Sequence, residues 1–338
     1  MSRVLLAGVI ALLISIFVGP KFVAYLRRKE YGQHIREEGP EHHVAKQGTP
    51  TMGGLLILLS ATAGFLALSR YTVPALTVLF VTLACGAIGF LDDFIKLTHR
   101  RSLGLNGRWK LILLGVITVG VGIAARHQHL PTEVYIPGVG DLQLSWAWYG
   151  LLFLVIAGAA NGVNLTDGVD GLAAGTVIIA LFTFASMIVI SWIRSGPPGH
   201  RFDTKLDLAI VAAALIGGAI GFLWYNAWPA EVFMGDTGSM ALGGALAAFA
   251  IFTKTISLLL LIGGIFAVAA LSVIVQVFSF KYFKRRVFLM APIQHHFELK
   301  AWSETKIMVR FWIVAGILCA AGFALYYRYF FDFFAARS

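Results

Sequence analysis

Ten long apolar runs divide this sequence, and they constrain its fold more than any other feature. The runs lie at Val4–Val23, Met52–Leu68, Val73–Leu91, Leu111–Ala125, Trp146–Ala160, Leu172–Ile193, Leu208–Tyr225, Met240–Phe252, Ile256–Phe280 and Ile307–Tyr329. A helix needs about 20 apolar residues to cross a bilayer. Charged residues make up only 13% of the 338 residues, about half the share in soluble domains. The sequence therefore predicts an all-α polytopic membrane protein with about ten transmembrane helices.

We expect one integral membrane domain over residues 1–338, because no Pro/Ser-rich linker and no internal repeat divides the chain. The runs lack the alternation of barrel strands, so each predicts a helix. The first run could be a signal peptide. It has no small-x-small cleavage site, however, and basic Arg27, Arg28 and Lys29 follow it, which predicts a retained span. Residues 126–145 carry prolines and glycines between short β-prone stretches and predict a small hairpin.

The distribution of basic residues predicts how the protein lies in the membrane. Ten spans place both termini on one side and the loops Lys21–Lys46, Lys96–Lys110 and Lys281–Arg310 on the other. These loops carry most of the 27 Lys and Arg residues. Because basic loops remain inside the cell, we expect this side to be cytoplasmic and both termini to be outside. The same bias explains the net charge of +10 without a nucleic-acid partner.

Most acidic residues also fall on the predicted cytoplasmic side, which the positive-inside rule does not require. Several of them lie in polar clusters near helix ends, of which there are five on this side. The first cluster includes Lys46 and Thr51, at the start of the second run. Thr49 or Thr51 could cap that helix, with Pro50 in its first turn. Alternatively, the helix N-terminus and Lys46 could bind an anion.

The second cluster is the adjacent pair Asp92 and Asp93, at the end of the third run. Two carboxylates at a helix C-terminus repel each other and the negative end of the helix dipole, so a cation must lie near or one carboxylate must be protonated. Neighbours on a helix point about 100° apart, which predicts different roles for the two. The alternative is a solvated loop in which they pair with Lys96, Arg100 or Arg101.

The third cluster, between the fifth and sixth runs, contains Asn161, Asn164, Asp167 and Asp170. Asn, Asp and Gly at this density favour turns, and Asp170 could cap the sixth helix. Capping does not explain Asn161, Asn164 and Asp167, which extend back toward an apolar run. Polar groups at membrane depth are costly and usually functional.

The fourth cluster leads into the eighth run and contains Asn226, Phe233 and Asp236. Asp236, Thr237 and Ser239 are all candidate caps of that helix. Asp236 lies in a Gly-flanked turn and could equally ligate Mg²⁺, which takes oxygen ligands and is often shared with substrate phosphates.

The fifth cluster places His295 and His296 beside Glu298 in a basic loop and predicts an anion-binding segment. Zinc is not expected, because there is no i, i+4 His pair and no nearby Cys. Together the five clusters supply carboxylates, basic groups, helix N-termini and His on one face. That set is typical of metal-assisted phosphoryl chemistry on a pyrophosphate substrate. No Walker loop or dinucleotide fingerprint is present.

The motifs in these clusters resemble those of the phospho-N-acetylmuramoyl-pentapeptide transferase family, within the polyprenyl-phosphate N-acetylhexosamine-1-phosphate transferase superfamily. The motifs are GTPTMGG at 48–54, FLDDFIK at 90–96, NLTDGVDGLAAG at 164–175, VFMGDTGS at 232–239 and PIQHHFE at 292–298. Their order and spacing match over nearly the whole chain. One position departs: the family often has His where this chain has Gln294.

The resemblance implies a Mg²⁺-dependent reaction of peptidoglycan biosynthesis in the bacterial inner membrane. UDP-MurNAc-pentapeptide and undecaprenyl phosphate would give undecaprenyl-pyrophosphoryl-MurNAc-pentapeptide (lipid I) and UMP. A soluble nucleotide and a membrane lipid would meet in a cleft at the cytoplasmic face. A homodimer is compatible with the resemblance.

The resemblance and the residue chemistry together imply the site roles. Asp236 is expected to coordinate Mg²⁺, with Asp93 near the metal and Asp92 as base toward the lipid phosphate. Those two roles could be exchanged, and a covalent aspartyl intermediate stays open. His295 completes the catalytic set. For substrate binding, Lys46 and Thr51 are expected at phosphate or sugar groups, and His295 and His296 at the diphosphate or its sugar. Asn164, Asp167 and Asp170 are expected to bind uridine, with Phe233 stacked on the base. The further substrate-binding candidates are Lys96, Asn161 and Asn226.

Three other functions fit the sequence less well. A sister enzyme would transfer GlcNAc-1-phosphate from UDP-GlcNAc to the same lipid, but the motif PIQHHFE favours the muramoyl branch. A secondary transporter would place its ionisable residues near the bilayer midplane, often in repeated halves. Here the acids gather at one face without a repeat. A purely structural scaffold would not explain why two carboxylates lie side by side in the sequence.

Overall fold

The computed structural model describes residues 1–29, 48–99, 103–197 and 200–330, and its architecture is a bundle of helices. The helices are α1 (Ser2–Arg28), α2 (Gly54–Leu68), α3 (Val73–Thr98), α4 (Gly107–His127), α5 (Ala147–Thr166), α6 (Leu172–Ile193), α7 (Asp203–Asn226), α8 (Gly235–Phe252), α9 (Ile256–Ile262), α10 (Gly264–Phe283), α11 (Ile293–Glu298) and α12 (Glu304–Leu325), followed by a π-helical turn over Tyr326–Phe330. Within these described ranges, nine helices are long and apolar enough to cross a membrane. The predicted all-α polytopic fold is confirmed.

Two of the ten predicted spans differ from expectation. Helix α2 has 15 residues, about 22 Å of helix, which is shorter than the hydrocarbon core of about 30 Å. The ninth run, predicted as one helix over Ile256–Phe280, is broken at Gly263 into α9 and α10. Glycine is a poor helix former. The thiol of Cys319 lies 3.4 Å from the carbonyl oxygen of Ile262 and gives that carbonyl a donor at the break.

Helices α7 and α8 form the centre of the bundle, and nearly every residue of α8 is buried. Glycines allow the closest helix contacts, as is common in membrane bundles. A Cβ atom added to Gly217 of α7 would lie 2.0 Å from the carbonyl oxygen of Gly8 in α1. Helix α8 packs between α3 and α5. Its N-terminus therefore brings Asp236 close to the polar ends of both neighbours.

Helix α1 contains Pro20, and α7 compensates for the hydrogen bond that this proline removes. Proline has no N–H, so the carbonyl of Ile16, four residues earlier, loses its helical donor. The hydroxyl of Tyr225 donates to that carbonyl at 2.6 Å. Gly19 makes room for the tyrosine, because a Cβ there would lie 2.3 Å from the ring. Tyr225 thus fastens α1 to α7.

Replacing Tyr225 with Phe should lower the thermal stability of the purified protein. The change keeps the ring and leaves the partly buried Ile16 carbonyl without this donor, at a cost of about 1–2 kcal/mol. We expect the unfolding temperature in detergent to fall by about 2–4 °C per kcal/mol. The matched control is Tyr25→Phe in α1, where the residue is 53% exposed. Equal unfolding temperatures for the two variants would show that the bond contributes nothing.

The segment between α4 and α5 forms the predicted hairpin. Its strands are β1 (Glu133–Ile136) and β2 (Gly140–Gln143), which pair antiparallel with Val134 opposite Leu142. The hydroxyl of Ser257 donates to the carbonyl of Tyr135 at 2.6 Å and attaches the hairpin to α9. The hairpin lies at the end of the bundle opposite the polar clusters. We call the end that carries the clusters the site face.

Candidate active site

Asp92 and Asp93 near the end of α3 are both buried, with 1% and 3% of their surface exposed. A solvated loop is therefore wrong, although the pairing with Lys96 is present; Arg100 and Arg101 lie outside the described residues. The two carboxylates face different partners, as their spacing on a helix predicts. Asp93 faces the start of α8, and Asp92 faces the loop before α4.

Asp93 caps helix α8. Its Oδ1 accepts the backbone N–H of Asp236 at 3.1 Å, and its Oδ2 accepts the N–H and the hydroxyl of Thr237 at 2.9 and 2.7 Å. None of the caps predicted within the fourth cluster is used, since α8 has no side-chain cap of its own. A carboxylate at a helix N-terminus is electrostatically favourable. Asp93 therefore fixes the first turn of α8, which carries Asp236.

Two glycines let α2 and α3 approach that first turn of α8 at backbone distance. A Cβ on Gly89 of α3 would lie 2.0 Å from the carbonyl oxygen of Asp236, and a Cβ on Gly54 of α2 would lie 2.1 Å from the N atom of Gly238. Any side chain larger than hydrogen at these positions would push the helices apart. The spacing between the carboxylates of α3 and Asp236 depends on these contacts.

The segment before α2 is held to the segment before α8 by backbone hydrogen bonds. Gly53 N–H donates to the Phe233 carbonyl, and Phe233 N–H donates to the Pro50 carbonyl, both at 2.8 Å. Neither predicted cap is used here, because Gly53 is the N-cap of α2 and Pro50 precedes the helix. Thr51 is buried, and its hydroxyl lies beside Gly235 at the start of α8, since a Cβ added to that glycine would be 2.9 Å from the hydroxyl oxygen. Thr51 therefore lies next to Asp236. Lys46 of the same cluster lies outside the described residues.

Two lysines join Asp92 and Asp236 into a closed ring of alternating charge. The Nζ atom of Lys96 lies 2.6 Å from Asp92 Oδ2 and 3.0 Å from Asp236 Oδ1. The Nζ atom of Lys110 lies 2.9 Å from Asp92 Oδ1 and 2.8 Å from Asp236 Oδ2. We call Asp92, Lys96, Asp236 and Lys110 the lysine–aspartate ring. It supplies the cations that the paired carboxylates were predicted to need.

Lys110 was missed as a site residue by the sequence analysis. A signal was present, because Lys110 lies in the first turn of α4, where a cation is unfavourable for the helix dipole unless it has an anionic partner. The loop before α4 also covers Asp92. The N–H of Leu105 donates to Asp92 Oδ1 at 2.6 Å, and a Cβ on Gly104 would lie 2.4 Å from that oxygen.

The third cluster spans the end of α5 and the turn after it, and it contributes polar groups beside the ring. The Asn164 amide donates to the Ser239 hydroxyl of α8 at 3.0 Å. Burial raises the pKa of Asp167 to about 8, and the carboxylates of Asp236, Asp93 and Asp170 add to the rise. A protonated carboxyl at this position can donate as well as accept hydrogen bonds.

Other polar residues of these clusters stabilise turns. Asp170 does not cap α6, whose N-cap is Gly171; its Oδ2 accepts the Ala230 N–H at 3.0 Å. Asn226 is 2% exposed, and its amide accepts from Gly171 N–H at 3.2 Å and donates to the Val232 carbonyl at 2.9 Å. Both ends of the Asn226 amide are thus engaged in holding two turns together. The Asn161 amide donates to the Ala157 carbonyl of its own helix.

Helix α11 holds His295 against the turn that follows α5. The Nδ1 atom of His295 is hydrogen-bonded to the Glu298 carboxylate. Its Nε2 atom lies close to Gly168, because a Cβ added to that glycine would be only 2.7 Å from it. Glu298 is the partner that the sequence analysis did not assign, although its i, i+3 spacing from His295 was a signal. The amide of fully buried Gln294 donates to the Leu165 carbonyl at 2.7 Å. Gln294 therefore attaches α11 to the end of α5.

His296 points away from His295. Its Nδ1 accepts the N–H of Leu289 at 3.1 Å, and its ring packs edge-on against Phe288 and Phe297. Burial and the charge of Lys300 lower the pKa of His296. The structure thus brings Thr51, the second to fourth clusters and His295 to one face, and it places His296 beside them in α11, turned toward other partners.

The carboxylates of Asp92, Asp93 and Asp236 fit a divalent cation. Each offers an oxygen, and the three oxygens lie within 4.8 Å of one another. Oδ2 of Asp92 is buried and accepts no hydrogen bond, and the nearby Lys96 nitrogen lies outside hydrogen-bond geometry. Hard oxygen donors of this kind suit Mg²⁺ or a similar ion. The site can therefore hold a metal between the end of α3 and the start of α8.

A bundle of membrane-spanning helices with buried carboxylates and lysines at one face suits a membrane-embedded transferase, and the comparison with known families identifies that class. The family described as "Glycosyl transferase family 4" matches residues 75–254, which include Asp92, Asp93 and Asp236. The pattern described as "Phospho-N-acetylmuramoyl-pentapeptide-transferase signature 1" matches residues 46–58.

Relatives named phospho-N-acetylmuramoyl-pentapeptide-transferase match nearly the whole chain. The protein from Rubrobacter xylanophilus is 44% identical over 97% of this chain and 98% of its own length. The protein from Thermobifida fusca is 45% identical over 97% and 98%, and that from Halalkalibacterium halodurans is 46% identical over 95% and 96%. The chain belongs to the phospho-N-acetylmuramoyl-pentapeptide-transferase family, as its motifs predict.

Proposed function

We propose that this protein transfers phospho-MurNAc-pentapeptide from UDP-MurNAc-pentapeptide to undecaprenyl phosphate, forming lipid I and UMP in peptidoglycan biosynthesis. The observation that carries the proposal is the lysine–aspartate ring at the membrane-helix ends of a chain that matches relatives of this name over nearly its full length. A charged nucleotide and a lipid phosphate both need cationic groups at such a position.

In the proposed reaction, an oxygen of the lipid phosphate attacks the β-phosphorus of the donor and the bond to UMP breaks. Asp236 would hold Mg²⁺, with Asp93 keeping Asp236 in place. Mg²⁺ held there would neutralise charge on the pyrophosphate and on the departing UMP. Asp92 is the better candidate for the base, because its Oδ2 is paired only with the mobile Lys96 ammonium, whereas both oxygens of Asp93 accept backbone N–H groups at the start of α8.

Residues around the ring would bind the rest of the donor. Asn164, Asp167 and Asp170 would read uridine, with Phe233 stacked on the base. The ability of Asp167 to donate a hydrogen bond suits the carbonyl oxygens of uracil. Lys46 and Thr51 would contact phosphate or sugar groups, and His295 and His296 would contact the diphosphate or its sugar. Lys96 and Asn161 would contribute further contacts nearby.

His295 would act from a fixed orientation. Glu298 accepts from Nδ1, which leaves Nε2 facing the turn at Gly168. In the imidazolium form, Nε2 can donate to a phosphate oxygen, and a ring that is already fixed loses no side-chain freedom when substrate binds.

We also propose the placement of the protein in the cell. The basic loops support a cytoplasmic site face, with both termini outside the bacterial inner membrane. The 338 residues would act as one transferase domain, and a homodimer is the assembly we propose to test by mass measurement in detergent.

The proposed function is tested with purified protein, undecaprenyl phosphate and UDP-MurNAc-pentapeptide. We expect UMP release together with a new lipid-linked sugar, and loss of both when EDTA removes the metal. Readdition of Mg²⁺ should restore them. UDP-GlcNAc serves as the competing donor. UMP from UDP-GlcNAc but not from UDP-MurNAc-pentapeptide would overturn the donor assignment, and metal-independent UMP release would overturn the role of Mg²⁺.

A further inference from the structure

We propose that Lys96 and Lys110 are exchangeable counter-ions. In the free protein they neutralise Asp92 and Asp236, and they move to the donor's phosphates when a divalent cation is delivered with the donor to Asp236. The ring would thereby make metal binding depend on the diphosphate. This inference rests on the proposed function of the site as a metal-dependent diphosphate site.

The first argument is that the ligand atoms of Asp236 are already engaged. Its Oδ1 lies 3.0 Å from Lys96 Nζ, and its Oδ2 lies 2.8 Å from Lys110 Nζ. A Mg²⁺ ion would approach a carboxylate oxygen to about 2.1 Å. An ammonium and a divalent cation that share a carboxylate repel each other strongly in a partly buried site. At least one lysine contact must therefore break before Asp236 can serve as a metal ligand.

The second argument is the charge of the ring. The two lysines and the carboxylates of Asp92, Asp93 and Asp236 together carry a net charge of −1, so a divalent cation alone would leave the site with a net positive charge. A cation that arrives with a diphosphate brings negative charge with it. The phosphate oxygens also give the displaced ammonium groups new partners, since lysine is a common phosphate ligand. The arrangement favours joint binding of cation and diphosphate over binding of the cation alone.

The third argument is that the lysines can move while the carboxylates are held. The side chains of Lys96 and Lys110 are 32% and 18% exposed, whereas that of Asp92 is 1% exposed. Asp92 is further fixed by the N–H of Leu105. Lysine carries its charge on a flexible four-carbon chain. Its ammonium can therefore reach outward without movement of α3 or α4.

The experiment measures Mn²⁺ binding by electron paramagnetic resonance in detergent-purified full-length protein. Lys110→Met should bind Mn²⁺ alone about tenfold more tightly than the unchanged protein, because the competing charge is gone. The same variant should bind UDP more weakly when Mn²⁺ is saturating, because a phosphate ligand is gone. These opposite changes would not follow from a purely structural role of the lysine.

Three further variants keep the test decisive. Arg108→Met removes an exposed cation from the same turn of α4 and should change neither affinity. Lys110→Arg keeps the charge and should keep Mn²⁺ binding weak. If Lys110→Met fails to fold, Lys96→Met carries the same prediction through the other oxygen of Asp236.

Unchanged or weaker Mn²⁺ binding in the folded methionine variants would overturn the proposal. Neither assay contains a sugar donor or the lipid. The proposal can therefore fail while the transfer reaction stands, and the transfer assay can fail on its donor while the Mn²⁺ result stands.

Discussion

Asp236→Asn should reduce Mg²⁺-dependent UMP release by at least about a hundredfold, in the range seen when one key electrostatic group is removed from an active site. The amide keeps the size of the side chain but loses the negative charge that would hold the metal. Saturating Mg²⁺ should not restore the rate. The measurement is UMP release from UDP-MurNAc-pentapeptide in detergent, with Mg²⁺ varied.

The loss should not arise from unfolding. Lys96 and Lys110 keep Asp92 as a partner in this variant, so its unfolding temperature should stay close to that of the unchanged protein. Asp203→Asn at the start of α7 is the matched control, since its side chain is 50% exposed and lies far from the ring. Retention of more than about a tenth of the turnover by Asp236→Asn would contradict the metal-ligand role.

Gly89→Ala should abolish activity through a change of one methyl group. The added Cβ would lie 2.0 Å from the carbonyl oxygen of Asp236 and 2.3 Å from its carbonyl carbon. These atoms belong to the backbone, so no side chain can move aside. Overpacking of this kind costs about 1–3 kcal/mol or more. The added methyl group should also push α3 away from α8, which would move Asp92 and Asp93 away from Asp236.

The measurements are thermal unfolding and UMP release on the same preparation. Gly158→Ala in α5 is the matched control, because a Cβ there meets no atom of the described residues within 4 Å. We expect the control to keep wild-type activity and stability. Wild-type turnover in Gly89→Ala would show that the α3–α8 spacing does not set the geometry of the site.

The sequence predicted the parts of this protein that depend on local pattern. Apolar runs predicted the helices, and proline and glycine spacing predicted the hairpin. The electrostatic problem of Asp92 and Asp93 correctly required a nearby cation. The break at Gly263 was not predicted, because an apolar run reads the same whether or not a glycine interrupts its helix.

Contacts between distant residues account for what the sequence could not predict. Helix α8 was expected to have its own cap, yet its cap is Asp93, 143 residues earlier in the chain. Lys110 reaches Asp236 across 126 residues. Propensity rules describe a few neighbouring residues, so they list candidate caps and cations but cannot choose among partners that only the fold brings together.

The position of the paired carboxylates along α3 has a consequence for depth. Asp92 lies six residues before the end of α3 at Thr98, which is about 9 Å of helix. The carboxylates are therefore set below the tip of the helix. In the proposed reaction, an acceptor phosphate would meet them without leaving the headgroup layer of the bilayer. Its long polyprenyl tail would then stay among the other acyl chains, and only the water-soluble donor would have to travel.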